Sequence, residues 1–303
     1  MTVHALRFDT GSPPPGTIDD PTSLHLALAE LGWKRLTPAL PIAGWRDDVV
    51  AETSLRLIEG AFVERERAAV LPLLSGLPAR ARDFVPWYEA LRETGPGQGD
   101  PLFPWLAERA DLQAMRWFIE QEAAGEAGFD DLVALTQVKL PTAAKLELAR
   151  NYWDEMGRGD RRGMHGPMLE TLVRALTLAP RPHNTVWQSL ALGNLMTALA
   201  INRRYAFHSV GALGAIEMTA PDRAEAVAKG LARLGLAKES CHYFNLHAVL
   251  DRKHSAGWNR EAIATLVEAD PLLARPIAEG ALMRLAAGAR CFERYRQEFS
   301  LDR

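Results

Sequence analysis

Seven side chains in this sequence are of the types that hold transition metals, and their spacing places them in four stretches. His247, Asp251 and His254 stand at i, i+4 and i+7, so on a helix they share one stripe spanning ~10 Å. Bonds from nitrogen or oxygen to a metal are only about 2.0–2.2 Å long. The first and last of the stripe therefore serve one ion poorly, whereas two ions ~3.5–4 Å apart, with Asp251 near the middle, suit it. Glu155 and His165 are ten residues apart with Gly157, Gly159 and Gly163 between them. On one straight helix they would lie ~15 Å apart along the axis and ~80° around it, so sharing a site needs a break. The three glycines supply it. Glu217 ends the apolar run from Gly211, where a lone carboxylate would cost several kcal/mol unless paired.

The fourth stretch runs from Leu112 to Val133, where Leu112, Met115, Ile119, Glu122, Glu126, Phe129 and Val133 alternate in steps of three and four, one face of a helix. Glu120, Glu122 and Glu126 compete as its ligand, and Glu122 fits an inward stripe in either register. Glu122, Glu155, Glu217 and Asp251 bring four negative charges, His165, His247 and His254 bind as neutral imidazoles, and two ferrous ions bring four positive charges. Mixed carboxylate and imidazole donors suit iron, with manganese as the second choice. The Glu-x-x-His pair of ferritin-type bundles is missing, because Arg158 stands three residues after Glu155.

Helices must position these groups. Residues 9–22 are rich in proline and read as an exposed arm. Helical patterns follow at Ser23–Leu31 and Asp47–Arg67 and continue to about Arg92, and Glu93–Pro101 is a boundary of turn formers. The reading is an N-terminal helical extension, residues 1–100, packed on a domain of residues 101–303. That domain reads as helix at Leu112–Val133, from Pro141 or Thr142 to Met156, and at Pro167–Leu178. A long helix over Thr185–Glu217 is expected to bend near Gly193 or Gly211 and to end before Pro221. Asp222–Leu234, Ser240–His254, Arg260–Val267 and Pro271–Phe299 complete an all-α chain. No alternating β-branched run suggests a sheet.

Composition narrows the function. The 303 residues carry 35 basic and 38 acidic side chains, mixed along the chain, so a nucleic-acid-binding face is not expected. Two cysteines are too few for a disulfide framework or a thiolate metal site. No signal-like start or run of ~20 apolar residues is seen, so the expectation is a cytoplasmic protein without membrane contact. Asp154, about 100° around the helix from Glu155, reads as exposed or capping. His208 reads as structural, and Trp117, Trp153 and Trp187 as core aromatics. Arg203, Arg204 and Tyr205 read as a polar patch at a helix bend that could also hold a substrate carboxylate.

The order Glu122, Glu155, His165, Glu217, His247, Asp251, His254 on an all-helical chain resembles the heme-oxygenase-like diiron oxidases and oxygenases, the iron-containing redox enzymes. Asn151 to Gly159 followed by His165, and the closing His-x-x-x-Asp-x-x-His, carry the resemblance over roughly residues 105–295. It implies a heme-oxygenase-like helical bundle binding two Fe(II) ions through those seven residues and activating O2. It further implies oxidation of a small amine- or carboxylate-bearing metabolite by N-oxygenation, desaturation or C–C cleavage. An electron donor is an expected partner and a homodimer is an open expectation. The rival readings are a heme protein, a metal-free helical enzyme of the thiaminase-like or quinone-cofactor-forming type, and a helical interaction protein.

Overall fold

The computed structural model describes residues 18–41, 43–125 and 128–301. Among them lie thirteen α-helices: α1 (Pro21–Leu36), α2 (Trp45–Val70), α3 (Ala81–Thr94), α4 (Leu102–Glu108), α5 (Leu112–Gly125), α6 (Phe129–Thr136), α7 (Thr142–Glu155), α8 (His165–Ala175), α9 (Trp187–Ile201), α10 (Ala206–Arg233), α11 (His242–Gly257), α12 (Ala264–Ala269) and α13 (Ala274–Glu298). No strand is present among these residues; one isolated antiparallel bridge joins Met156 to Met164. None of the described helices is long and apolar enough to cross a membrane.

The bundle is organised on α10, which packs against α4, α9, α11 and α13. Its 28 residues reach about 42 Å. Two glycines let α10 and α13 touch backbone to backbone. A Cβ on Gly211 would stand 1.9 Å from the Ile277 carbonyl oxygen, and one on Gly280 would stand 1.9 Å from that of His208. The glycine expected to bend this helix therefore serves close approach instead.

The expected long helix over 185–217 is broken elsewhere, at Asn202, whose backbone is extended. The Asn202 amide donates to the Ala198 carbonyl and to Glu59, and the Arg203 guanidinium donates to the carbonyls of Leu135 and Thr136 and, at 2.5 Å, of Val138. Side chains that satisfy carbonyls end the turn there. Arg204 and Tyr205 both bond Glu64, so this patch ties helices together. Nor does the helix stop before Pro221: α10 runs through it, and the missing amide leaves the Glu217 carbonyl without its ladder donor. The separate helix expected from Asp222 is part of α10.

The expected single helix over 112–133 is two, α5 and α6, the second opened by Gly128 at φ 70°. Glu126 lies outside the described residues. The arm expected over 9–22 ends sooner, since Pro21 and Thr22 begin α1; Asp20 caps it, accepting from the Ser23 amide at 2.8 Å. After α11 the chain passes through a π-helical turn, Trp258–Ile263, into α12. Trp258 there is fully buried and its indole donates to the Val210 carbonyl.

Helices α1, α2 and α3 pack on α9, α13 and α12, and Leu28, Phe62 and Phe84 join the same apolar core as Leu195, Leu213 and Ile277. Buried charge adds to these ties. Glu279 on α13 receives bonds from Arg67 on α2, Arg275, and His208 on α10. Burial opposes its ionisation, but these donors, His208 first, hold its carboxyl down at about 2. His208 is thus structural, as its position suggested.

Candidate metal centre

Glu155 is the last residue of α7 and His165 the first of α8. Between them the chain leaves the helix at Met156, turns through Gly157 at φ 60°, and returns at Met164, which pairs with Met156. The base of the loop is closed tightly: a Cβ on Gly157 would stand 2.3 Å from the Gly163 carbonyl carbon. Residues 158–162 form an exposed tip. The glycine break thus brings the two side chains together, with Glu155 Oε2 2.6 Å from His165 Nδ1. Both residues are buried, and the pair is not aligned as a hydrogen bond.

Helix α11 presents His247, Asp251 and His254 from one stripe, and α10 presents Glu217. Two donor groups result. Glu155, His165 and His247 offer atoms within 4.8 Å of one another, and so do Glu155, Glu217 and His254. Glu155 belongs to both. Glu155 Oε1, His165 Nδ1, Glu217 Oε2, His247 Nε2 and His254 Nδ1 are buried and have no hydrogen-bond partner. Buried polar atoms without partners cost free energy. Glu217 Oε2 lies 3.4 Å from His254 Nδ1, and atoms this close could hold a cation between them; carboxylate with imidazole is a donor set that suits iron or manganese.

The opposite ring nitrogens are held. His247 Nδ1 lies 3.2 Å from both oxygens of Asp251, and His254 Nε2 lies 3.1 Å from Asp154 Oδ2. A carboxylate on one nitrogen fixes the tautomer that leaves the other free for a metal. Asp251 belongs to neither donor group in this arrangement; it holds His247. Asp154 corrects the reading of an exposed or capping residue: it joins His254 on α11 to Arg158 in the loop. Asn151, one turn before Glu155, donates to Glu217 Oε1 at 2.6 Å. Asp130 on α6 is a further acid near the centre; burial, then the charges of Asp131 and Glu155 raise its pKa, partly offset by backbone bonds.

Replacement of Asp154 by asparagine is expected to weaken iron binding about 10–100-fold, the usual cost of losing a carboxylate behind a ligating histidine. Anaerobic iron titration of the variant beside the wild type measures it. Equal affinity would show that Asp154 does no more than anchor Arg158.

Glu122 stands apart from both groups. It lines a cavity shared with Glu155, Glu217 and His247, but its Oε1 accepts from Tyr295 Oη at 2.9 Å, and burial raises its pKa against the pull of Tyr295, Arg284 and Arg223. Trp153, expected in the core, is 53% exposed and rests against Gly159 of the loop.

Electrostatics show how crowded the centre is. Burial, reinforced by Asp251, raises the Glu217 carboxyl to about 7. Burial would depress His247 and His254, but the Asp251 contact on the first and the Glu217 and Asp154 contacts on the second outweigh it, and both rise to about 9. Beside the centre lies a cavity of about 170 Å3, walled by Phe118, Phe129, Leu192, Ile216 and Phe244 and opening onto Glu155, Glu217 and His247. The Tyr243 ring lies against His247, tilted by 51° with 4.4 Å between ring centres.

Comparison with known proteins places this geometry in context. A family model described as iron-containing redox enzyme matches residues 116–289. The chain is similar to a CADD-like protein of unknown function from Nostoc punctiforme PCC 73102, with a TM-score of 0.54 at 18% identity over 72% of this chain and 95% of that one. It is also similar to a domain of unknown function with a heme oxygenase-like fold from Shewanella denitrificans OS217, with a TM-score of 0.48 at 15% identity over 73% and 92% of the two chains. The first likeness shows a shared fold. No curated protein matches the sequence.

Proposed function

The chain belongs to the iron-containing redox enzyme family, and from that premise we propose that it is a non-heme diiron oxidase or oxygenase acting on a small organic metabolite with O2. The observation that carries this reading is the pair of donor groups that share Glu155, with their unpartnered atoms converging. Glu155, His165 and His247 would hold one ion; Glu155, Glu217 and His254 would hold the other. Ferrous iron, when bound, supplies the electrons and open coordination positions that reaction with O2 requires.

The protein's own part is positioning and exclusion. Asp251 and Asp154 hold His247 and His254 in the tautomers that ligate, and Asn151 fixes Glu217. The apolar walls keep bulk water from the reacting positions, which strengthens every electrostatic contact inside. A cavity of about 170 Å3 is below the usual range of about 300–1,000 Å3 for ligand pockets, so it suits a small metabolite. Substrates of amine or carboxylate character, oxidised by N-oxygenation, desaturation or C–C cleavage, fit this reading. Turnover needs an electron donor unless the substrate supplies all electrons.

Anaerobic titration with ferrous iron tests the proposal. About two equivalents per chain are expected, followed by a transient visible band on exposure to O2. Binding of heme with a strong Soret band and no uptake of free iron would overturn it.

A further inference from the structure

Helix α2 has two apolar sides, and the bundle uses one of them. Leu55, Ile58, Phe62 and Val63 turn toward the core, where α2 packs with α1, α9 and α13. Around the opposite side run Val50, Thr53, Leu57 and Gly60, spaced i, i+3, i+7 and i+10, with Val49 beside them. That three-four spacing is the spacing of a seam between two helices. Val49, Val50 and Leu57 are each half exposed or more, as is Trp45 at the start of the helix. From Trp45 to Ala51 every residue of α2 is exposed, so among the described residues nothing covers its first two turns. A helical stretch that packs on nothing is marginal in water, and a contiguous apolar surface on it marks a contact.

Gly60 is an independent sign. Glycine inside a helix weakens it, and a close neighbour accounts for it at Gly211 and Gly280. At Gly60 a Cβ would meet nothing within 4 Å. Among the described residues, no contact within the chain requires a glycine there.

The seam is complementary to itself about Thr53. Trp45 lies eight residues before that point and Gly60 seven after it, about 12 and 10 Å away along the axis. With a second α2 laid antiparallel, Thr53 against Thr53, Gly60 of the second copy comes level with Trp45 and leaves room for the indole. Val50 comes level with Leu57 of the second copy, and Leu57 with its Val50. Glu52 and Arg56, both partly exposed at the edge of the seam, touch each other only at 3.9 Å. The antiparallel arrangement brings each Glu52 within a turn of the other copy's Arg56, opposite charges on facing edges. Arg46 lies over the Trp45 ring, 4.9 Å from its centre, and is drawn off the seam. A parallel pairing would set indole against indole and glycine against glycine.

We propose that the chain forms a symmetric dimer through antiparallel pairing of α2 with α2 of a second copy, centred on Thr53. No residue of α2 lines the cavity at the metal centre, so the dimer leaves it free and stands independently of the iron reading. About 22 Å of helix some 10 Å wide presents less than the about 800 Å2 per partner of a stable interface, so association depends on concentration.

Sedimentation velocity of the full chain between about 1 and 100 μM tests this, and a monomer–dimer transition is expected within that range. V50D and L57D should each weaken the dimer about ten-fold or more, with iron content and melting temperature of the monomer unchanged. G60L should weaken it too and keep the fold, since space over Gly60 is open. T53C should cross-link to a second copy on mild oxidation, because Cys241 and Cys291 are buried and facing Cα atoms at the centre of the seam come within disulfide reach. E108C, on α4, should not. A chain that stays monomeric throughout, as it would if the stripe receives a different protein, overturns the inference, and so does a dimer that V50D and L57D leave unchanged. A dimer weakened by both, in which T53C cross-links no more than E108C, overturns the antiparallel pairing.

Discussion

Glu155→Gln is expected to lower iron uptake from about two equivalents per chain to nearly none. Glu155 is the residue common to both donor groups, with one oxygen beside His165 and the other unpartnered toward the second group. A neutral amide keeps the shape but removes the charge that a second cation close to the first requires. The histidines differ from it in pattern. His165→Ala removes a donor from one group only, and His254→Ala removes one from the other, so each should retain about one equivalent. Metal analysis after anaerobic loading reads all three variants. A Glu155→Gln chain that still binds two ions would defeat the shared-carboxylate arrangement, and full occupancy in both histidine variants would defeat the ligand assignment.

The second large effect is on stability, and its sign follows from the shifted groups. His247 and His254 titrate near 9 in the folded metal-free chain against 6.5 ordinarily, so their charges stabilise fully below about pH 6.5, and that contribution is lost as pH rises through 9. Glu217 titrates near 7 instead of 4.5, so its ionisation in the folded chain is penalised increasingly above about pH 4.5, up to about 7. Both trends make the metal-free protein less stable toward alkaline pH. Iron needs the same three sites deprotonated, so its affinity rises over that interval. At about a thousand times Kd each ion adds about 4 kcal/mol, which for two ions raises Tm by about 10 °C or more. Anaerobic calorimetry at pH 6, 7 and 8.5 should show the increment growing with pH. An increment that stays constant or shrinks would mean that these groups do not bind the metal.

The all-α class is legible in the sequence because helical patterns are long and strand signals are absent; the heme-oxygenase-like arrangement comes from the family resemblance and not from periodicity. Five of the seven candidate ligands fall in the two donor groups, since the stripe on α11 and the glycine break after Glu155 each encode a direction, while Asp251 lies behind His247 instead. Glu122 shows the limit. Its place in an apolar stripe gives the inward direction correctly, but whether it meets donor atoms or arginines depends on which helix lies opposite. Asp154 is not legible, because its angle around α7 from Glu155 says nothing of the C-terminal part of α11, which passes on the neighbouring side. Asn151 carries a signal that finds it: it stands i−4 from Glu155, on the same face. Arg223 carries none, since an arginine on an amphipathic helix ordinarily faces water. The break at Asn202 is hidden for a related reason. Gly211 marks a conspicuous weak point of that helix, but it is occupied by contact with α13, and distant partners of Asn202 and Arg203 end the turn.

The Met156–Met164 bridge and the close backbone contact of Gly157 with Gly163 fix the separation of Glu155 and His165 at the base of their loop. Length beyond the clasp and the Arg158–Asp154 pair is then free: residues 159–162 can grow, shrink or be exchanged while the acid and the histidine stay where they are. A sequence pattern written with ten residues between them would pass over relatives that bear the same centre beneath a different tip. An acid closing one helix, a histidine opening the next and small residues just inside each end describe the same object without a ruler. By the same token, the tip is a place where a tag or a short recognition peptide can be inserted close to the centre and leave its geometry intact.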